Sequence, residues 1–180
     1  IYRFDPSEVA MKALCLVAHP DDCVIFAYSY IYNHSAYQWT IGYLTYSATD
    51  PRAVEIASFW QRRNIPTVFL GFEDHWHDNE QQAFTRWSQT AAMSACADLA
   101  RQYDLVLTHA ADGDYGHIHH KLVHHSVRDH CRVVVFSPLG TGQTYSVPTN
   151  AYCLDELPLH GEIIYSFHRF SHKNSYEVLK

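Results

Sequence analysis

Short apolar runs alternate with stretches of helical periodicity along most of this chain, and that alternation restricts the fold more than any other feature. Residues 12–18, 37–46, 67–70, 104–108 and 132–136 read as strands. Between them, residues of about 23–33, 51–64, 80–103 and 118–130 read as helices. Asp50 and Pro51 form a helix start, with Ala53, Ile56, Ala57 and Trp60 on one face behind it. Phe84, Trp87, Ala91, Ala95 and Leu99 form the buried stripe of the third helix. The run from Arg132 to Phe136 is β-branched, as in a strand covered on both sides. Strand–helix alternation of this kind argues for an α/β fold, a parallel sheet with helices on both faces. The expectation is a Rossmann-like three-layer sandwich with a mostly parallel central sheet in the order 3-2-1-4-5. The 180 residues fit a single domain spanning 1–180. Residues 138–180 are less patterned: 140–143 read as a loop and 163–167 as a last strand.

Two polar clusters stand directly after apolar strands. The first is His19-Pro20-Asp21-Asp22, following Ala13 to Ala18. The second is Asp112-Gly113-Asp114-Tyr115-Gly116-His117-Ile118-His119-His120, following Leu105 to Thr108. In the expected order, strands one and four are neighbours, and the loops after them open the crevice where open α/β sheets bind ligands. Topology therefore brings together motifs far apart in the chain. His plus Asp is an N/O donor set that suits zinc. Two adjacent Asp side chains cannot both point the same way in a turn, so one can hold a metal while the other faces water. A helix cap would need only one Asp, so the quartet exceeds what capping requires.

Together the motifs resemble the LmbE-like/PIG-L family of zinc-dependent N-acetyl-sugar deacetylases. That family carries His-Pro-Asp-Asp after its first strand and a later Gly-His-x-x-His, here Gly116 to His120. The resemblance covers roughly residues 11–137. It implies one Zn2+ per chain held by His19, Asp22 and His120, and this donor set also accommodates Fe2+ or Co2+. It implies Asp21 as the general base that takes a proton from water and returns it to the leaving amine. It makes His117 the oxyanion-side histidine and Tyr115 a tyrosine over the site. Arg52 and Asp74 sit where some members place substrate-binding residues, although Arg52 reads equally as a helix-surface charge. Trp76, in a polar loop with His75 and His77, is a candidate for stacking on a sugar ring. Where the family commonly has Glu after the quartet, this chain has Cys23, whose thiolate is a candidate extra ligand that would close the site. His119 is expected to be exposed. His124, on the face of His120, is either a second-shell group or ligand or, as expected, a surface residue.

The implied activity is hydrolysis of an N-acetyl group on an amino sugar or glycoconjugate. Alternatives are another metal-dependent amidohydrolase or esterase on the same site, or a non-catalytic zinc- or sugar-binding protein. A net charge of −6 argues against a nucleic-acid partner. No apolar run is long enough to span a membrane. There is no Gly-x-Gly-x-x-Gly and no Walker lysine loop, so a dinucleotide or nucleoside triphosphate site is not expected. Five scattered cysteines without a Cys-x-x-Cys pair read as reduced thiols of a cytoplasmic protein. Seven of the fourteen histidines cluster between His109 and His130, which points to a local metal or proton role. The sequence does not give the oligomeric state.

Overall fold

The strand β1 (Lys12–Val17) is buried throughout except at its first residue, which requires a place inside a sheet. Its side chains alternate, as a period of two dictates. Ala13, Cys15 and Val17 meet Phe26, Ile41, Tyr43, Phe59 and Trp60. Leu14, Leu16 and Ala18 meet Leu44, Cys96, Leu99, Val106 and Leu122 on the opposite face. The computed structural model describes residues 10–74, 88–137, 142–145, 147 and 175–179.

The sheet also contains β2 (Gln38–Thr45), β3 (Thr67–Phe72), β4 (Leu105–Thr108), β5 (Val133–Phe136), β6 (Gln143–Thr144) and β7 (Ser175–Val178). Its order is β3-β2-β1-β4-β5-β7-β6. The first five strands are parallel, in the order expected from the sequence. The last two add an antiparallel extension at one edge. The strand expected at 163–167 lies outside the described residues.

One face is covered by a π-helical turn (Cys23–Ala27) that runs into α1 (Tyr28–Asn33), and by α2 (Pro51–Gln61). The sequence pattern reads 23–33 as one continuous helix, whereas its first turn is π-helical, a form common beside functional sites. The other face carries α3 (Gln89–Ala100) and α4 (Ile118–Val127). These layers make the expected three-layer α/β sandwich. The Ser88 hydroxyl caps α3, accepting from the Ala91 N–H at 3.2 Å, and the part of the expected helix before it, 80–87, lies outside the described residues. Trp87 and Phe84 lie outside the described residues.

Side chains at the strand ends lock the rim of the sheet. The Thr108 hydroxyl donates to the Leu16 carbonyl at 2.8 Å. The Thr45 hydroxyl donates to the Ala18 carbonyl at 2.7 Å. The carboxyl ends of β2, β1 and β4 are thus fixed to one another where the two polar motifs emerge. No helix among the described residues is long and apolar enough to cross a membrane.

Candidate active site

The loop after β1 folds back on itself at once. The Asp22 carboxylate accepts the His19 backbone N–H at 2.8 Å, and the Asp22 N–H donates to the His19 carbonyl at 3.2 Å. This turn aims the His19 ring and the Asp22 carboxylate at the same point. The loop after β4 is held by backbone that few residue types adopt. Gly113, Asp114 and Gly116 all have positive φ, at 76°, 68° and 97°. His117 then caps α4, its Nδ1 accepting the His119 N–H at 3.1 Å. With Nδ1 so engaged, the neutral ring carries its proton on Nε2.

Three ligand atoms converge where the loops meet. His19 Nδ1 lies 3.2 Å from Asp22 Oδ2, and His120 Nε2 lies 3.3 Å from each of them. Two corners of a tetrahedron around an ion with bonds of about 2.0–2.1 Å are about 3.3 Å apart. The triangle has the size and the donor chemistry for zinc, and equally for iron or cobalt. The outer side of His120 supports the fit. Its Nδ1 donates to Asp114 Oδ2 at 2.8 Å, leaving Nε2 turned inward. A histidine braced by a carboxylate on its outer nitrogen is the usual support of a metal ligand. The same Asp114 oxygen lies 2.5 Å from His109 Nδ1. His109 in turn accepts the Ala18 N–H on Nε2 at 3.0 Å, which occupies its lone pair and ties both loops together.

The electrostatics follow from burial and these contacts. Burial opposes a charge on His19, but the Asp22 carboxylate outweighs it, Asp74 adds to the effect, and the ring rises to about 10. His120 also rises, as Asp22 and Asp114 overcome its burial. Burial raises the Asp114 carboxyl, yet His109 and His120 hold it down at about 2. His109 moves the other way: burial and the neighbouring His120 push it down against the pull of Asp114. A neutral His109 that donates from Nδ1 reconciles the pair, since its Nε2 already accepts from Ala18. Burial pushes His117 down to about 2, helped by His19, His120 and His119. It is a neutral N–H donor. Asp21 is raised above the ordinary carboxylate range by burial and the Asp22 charge, against His19 and Arg52.

Two of the three expected substrate residues, Arg52 and Asp74, reach this crevice. Arg52 Nη1 donates to the Tyr46 hydroxyl at 3.0 Å, and that hydroxyl donates to Asp74 Oδ2 at 2.8 Å. Arg52 Nη2 is 4.0 Å from Asp21 Oδ1, and Asp74 Oδ1 is 3.5 Å from His19 Nε2. Tyr115 is half-exposed beside the histidines, its ring 5.2 Å from that of His120 and 5.9 Å from that of His117. Trp76, His75 and His77 lie outside the described residues.

Three expectations are corrected. The Cys23 thiol is turned into the core. It donates to the Pro20 carbonyl at 3.3 Å, lies 3.1 Å from the Tyr43 hydroxyl and accepts from the Trp60 indole at 3.2 Å. Burial pushes it up to about 12, so it stays a thiol and does not close the site. His119 is fully buried, not exposed, because α4 packs against both the sheet and α3 and buries a broad face. His124 is buried too, and its Nδ1 donates to the His109 carbonyl at 2.8 Å. Sequence reasoning gave no role to His109, Asp114 or Tyr46. Tyr46 carried one signal, its place at the carboxyl end of β2, where sites of such sheets form.

A parallel α/β sheet with a His/Asp cluster at the switch point between β1 and β4 defines a class of α/β folds with a crevice that could hold a metal ion. Residues 14–131 match the family described as PIG-L, GlcNAc-PI de-N-acetylase, and the chain belongs to that family. No curated protein resembles it closely enough in sequence to count as a match. Among solved structures it is similar to N,N'-diacetylchitobiose deacetylase from Pyrococcus horikoshii, at 14% identity and a TM-score of 0.59, over 96% of this chain and 85% of that one. It is also similar to GalB, the 4-carboxy-2-hydroxymuconate hydratase from Pseudomonas putida KT2440, at 14% identity and a TM-score of 0.59, over 88% and 84%. The zinc-inhibited form of teicoplanin deacetylase Orf2 is similar at 13% identity and a TM-score of 0.57, over 89% and 84%. At these identities the likeness is one of fold.

Proposed function

We propose that this protein is a metal-dependent de-N-acetylase that hydrolyses the acetamide of an amino sugar or glycoconjugate. The observation that carries the reading is the triangle of His19 Nδ1, Asp22 Oδ2 and His120 Nε2, with sides of 3.2–3.3 Å, at the mouth of the β1/β4 crevice. These three residues would hold a single divalent ion. When bound, such an ion polarises a carbonyl and makes water a nucleophile near neutral pH.

The chain's own groups supply the rest. Asp21, next to a ligand yet turned toward Arg52, takes the proton of the attacking water. Its raised pKa brings it closer to working pH, where a general base is most effective. It returns that proton to the nitrogen as the C–N bond breaks, so acetate and a free amine leave. The neutral Nε2–H of His117 donates to the oxygen that becomes negative as the carbonyl is attacked. Tyr115 closes the outer side. Asp74 and Arg52, joined through Tyr46, present an acceptor and donors to sugar hydroxyls. Asp114 and His109 hold the ligands in register from behind.

The family match and the two deacetylases among the similar structures favour an acetamide substrate. A hydratase of the same fold means that the reaction has to be argued from the site. Acetate release from a panel of N-acetylglucosamine conjugates, run with zinc-loaded protein, is the direct test. Wild-type release, with a drop in kcat of about 10²–10⁴ in Asp21→Asn at unchanged metal content, is the expected result. Undiminished turnover in that variant removes Asp21 as the base. An O-acetyl panel run in parallel separates the amidase from an esterase.

A further inference from the structure

Both ring nitrogens of His19 face a group of donor atoms. Nδ1 looks toward Asp22 and His120, as described above. On the other side, Nε2 lies 3.1 Å from His119 Nδ1 and 3.5 Å from Asp74 Oδ1. His119 Nδ1 is 3.9 Å from the same Asp74 oxygen. We propose that His19, His119 and Asp74 form a second divalent-cation site, joined to the first through the two nitrogens of the His19 ring. The proposal rests on the reading of His19, Asp22 and His120 as a metal site.

The second set repeats the chemistry of the first, two imidazoles and a carboxylate. Its atom separations bracket the edge of about 3.3 Å expected for ligands around one small ion. A proton on His19 Nε2 can serve one of its two neighbours at a time. A cation serves all three atoms together. Binding forms a metal–nitrogen bond at Nε2, and the proton held there leaves to solvent.

Charge balance points the same way. Among the described residues, Asp21, Asp22, Asp74 and Asp114 set four carboxylates around the crevice, with the guanidinium of Arg52 beside Asp21. One dication leaves that group one negative charge from neutrality. The site also competes with the substrate role of Asp74, so loading the second ion lowers turnover that the first ion supports.

The test counts ions. Chelator-stripped protein is dialysed to equilibrium against excess zinc, and bound metal per chain is measured for the wild type, Asp74→Asn and His119→Leu. The Asn variant keeps the size of Asp74 and an oxygen for Tyr46, so it covers the case in which the buried His119→Leu change prevents folding. Two ions in the wild type and one in each folded variant is the expected result. One ion in the wild type overturns the second site and leaves the first intact. No ion in the wild type overturns both. Two ions in a folded variant put the extra metal elsewhere and overturn the assignment.

Discussion

Asp114 holds two imidazoles with one oxygen, and the proposed metal site leans on that contact. Replacing it with Asn removes the charge and leaves a single neutral acceptor for His109 and His120, which sit 2.5 and 2.8 Å away. Loss of such a supporting carboxylate costs about 10–100-fold in metal affinity. Competition with a chelator of known affinity measures it, and an unchanged affinity in Asp114→Asn would show that α4 alone orients His120. Cys23 gives a contrasting prediction. Its sulfur is spent on Pro20, Tyr43 and Trp60, so Cys23→Ser leaves the spectrum of bound cobalt unchanged, with no sulfur charge-transfer band in either protein. A band lost on mutation would put the thiol on the metal after all. The difference between these residues also explains what the sequence disclosed. That His19, Asp22 and His120 would meet was legible because they sit in tight motifs at strand ends. The contacts of His109 with Ala18, of Tyr46 with Asp74 and of His119 with His19 join distant parts of the chain, and a one-dimensional pattern does not carry those neighbours. The side to which Cys23 points was hidden for the same reason.

Among the elements, the loop between β4 and α4 does the most positioning. Gly113 sits at φ 76°, and a Cβ there would lie 2.6 Å from the His117 carbonyl and 2.9 Å from Lys121 Cγ. The backbone contact cannot yield without moving the start of α4, which carries His117, His119 and His120. Gly113→Ala is therefore expected to cost about 1–3 kcal/mol. That is roughly 2–10 °C in the thermal midpoint of a chain of this size. It also weakens metal binding, because the cap and the ligand move together. A variant that melts like the wild type and binds zinc equally well would show that the loop absorbs the methyl group. The parallel strands were readable because each is an apolar run flanked by polar turns. The antiparallel edge was not. The strand β7 has Ser175 and Tyr176 buried and Glu177 and Val178 exposed, a pattern too short and too polar to separate from a loop. The π-helical turn was hidden as well, since one extra residue per turn does not change which of five buried residues are apolar.

At the scale of the whole molecule, the site couples stability to pH in two opposing ways. Asp114, near 2 against an ordinary 3.8, binds protons less readily in the folded chain. Its contribution is present above about pH 4 and is lost as the pH falls toward 2, a change of about 2 kcal/mol. His19 has the reverse sign. Raised to about 10 from 6.5, its protonated form stabilises the metal-free chain fully below the lower value, and this is lost as the pH rises through the upper one. A bound ion takes the place of that proton, so proton and metal compete for one nitrogen. The gain from metal must then grow as the pH rises, while the metal-free chain loses the support of charged His19. Zinc at about a hundred times its dissociation constant contributes about 2.7 kcal/mol, roughly 5–10 °C for a chain of this size. Thermal melts with zinc and with chelator, compared between about pH 5.5 and 8.5, measure the difference. The zinc-induced shift should be small at the acid end and widen steadily with pH. A shift that stays level across this range would mean that the ion does not displace the His19 proton, and the ligand set would have to be drawn without that residue.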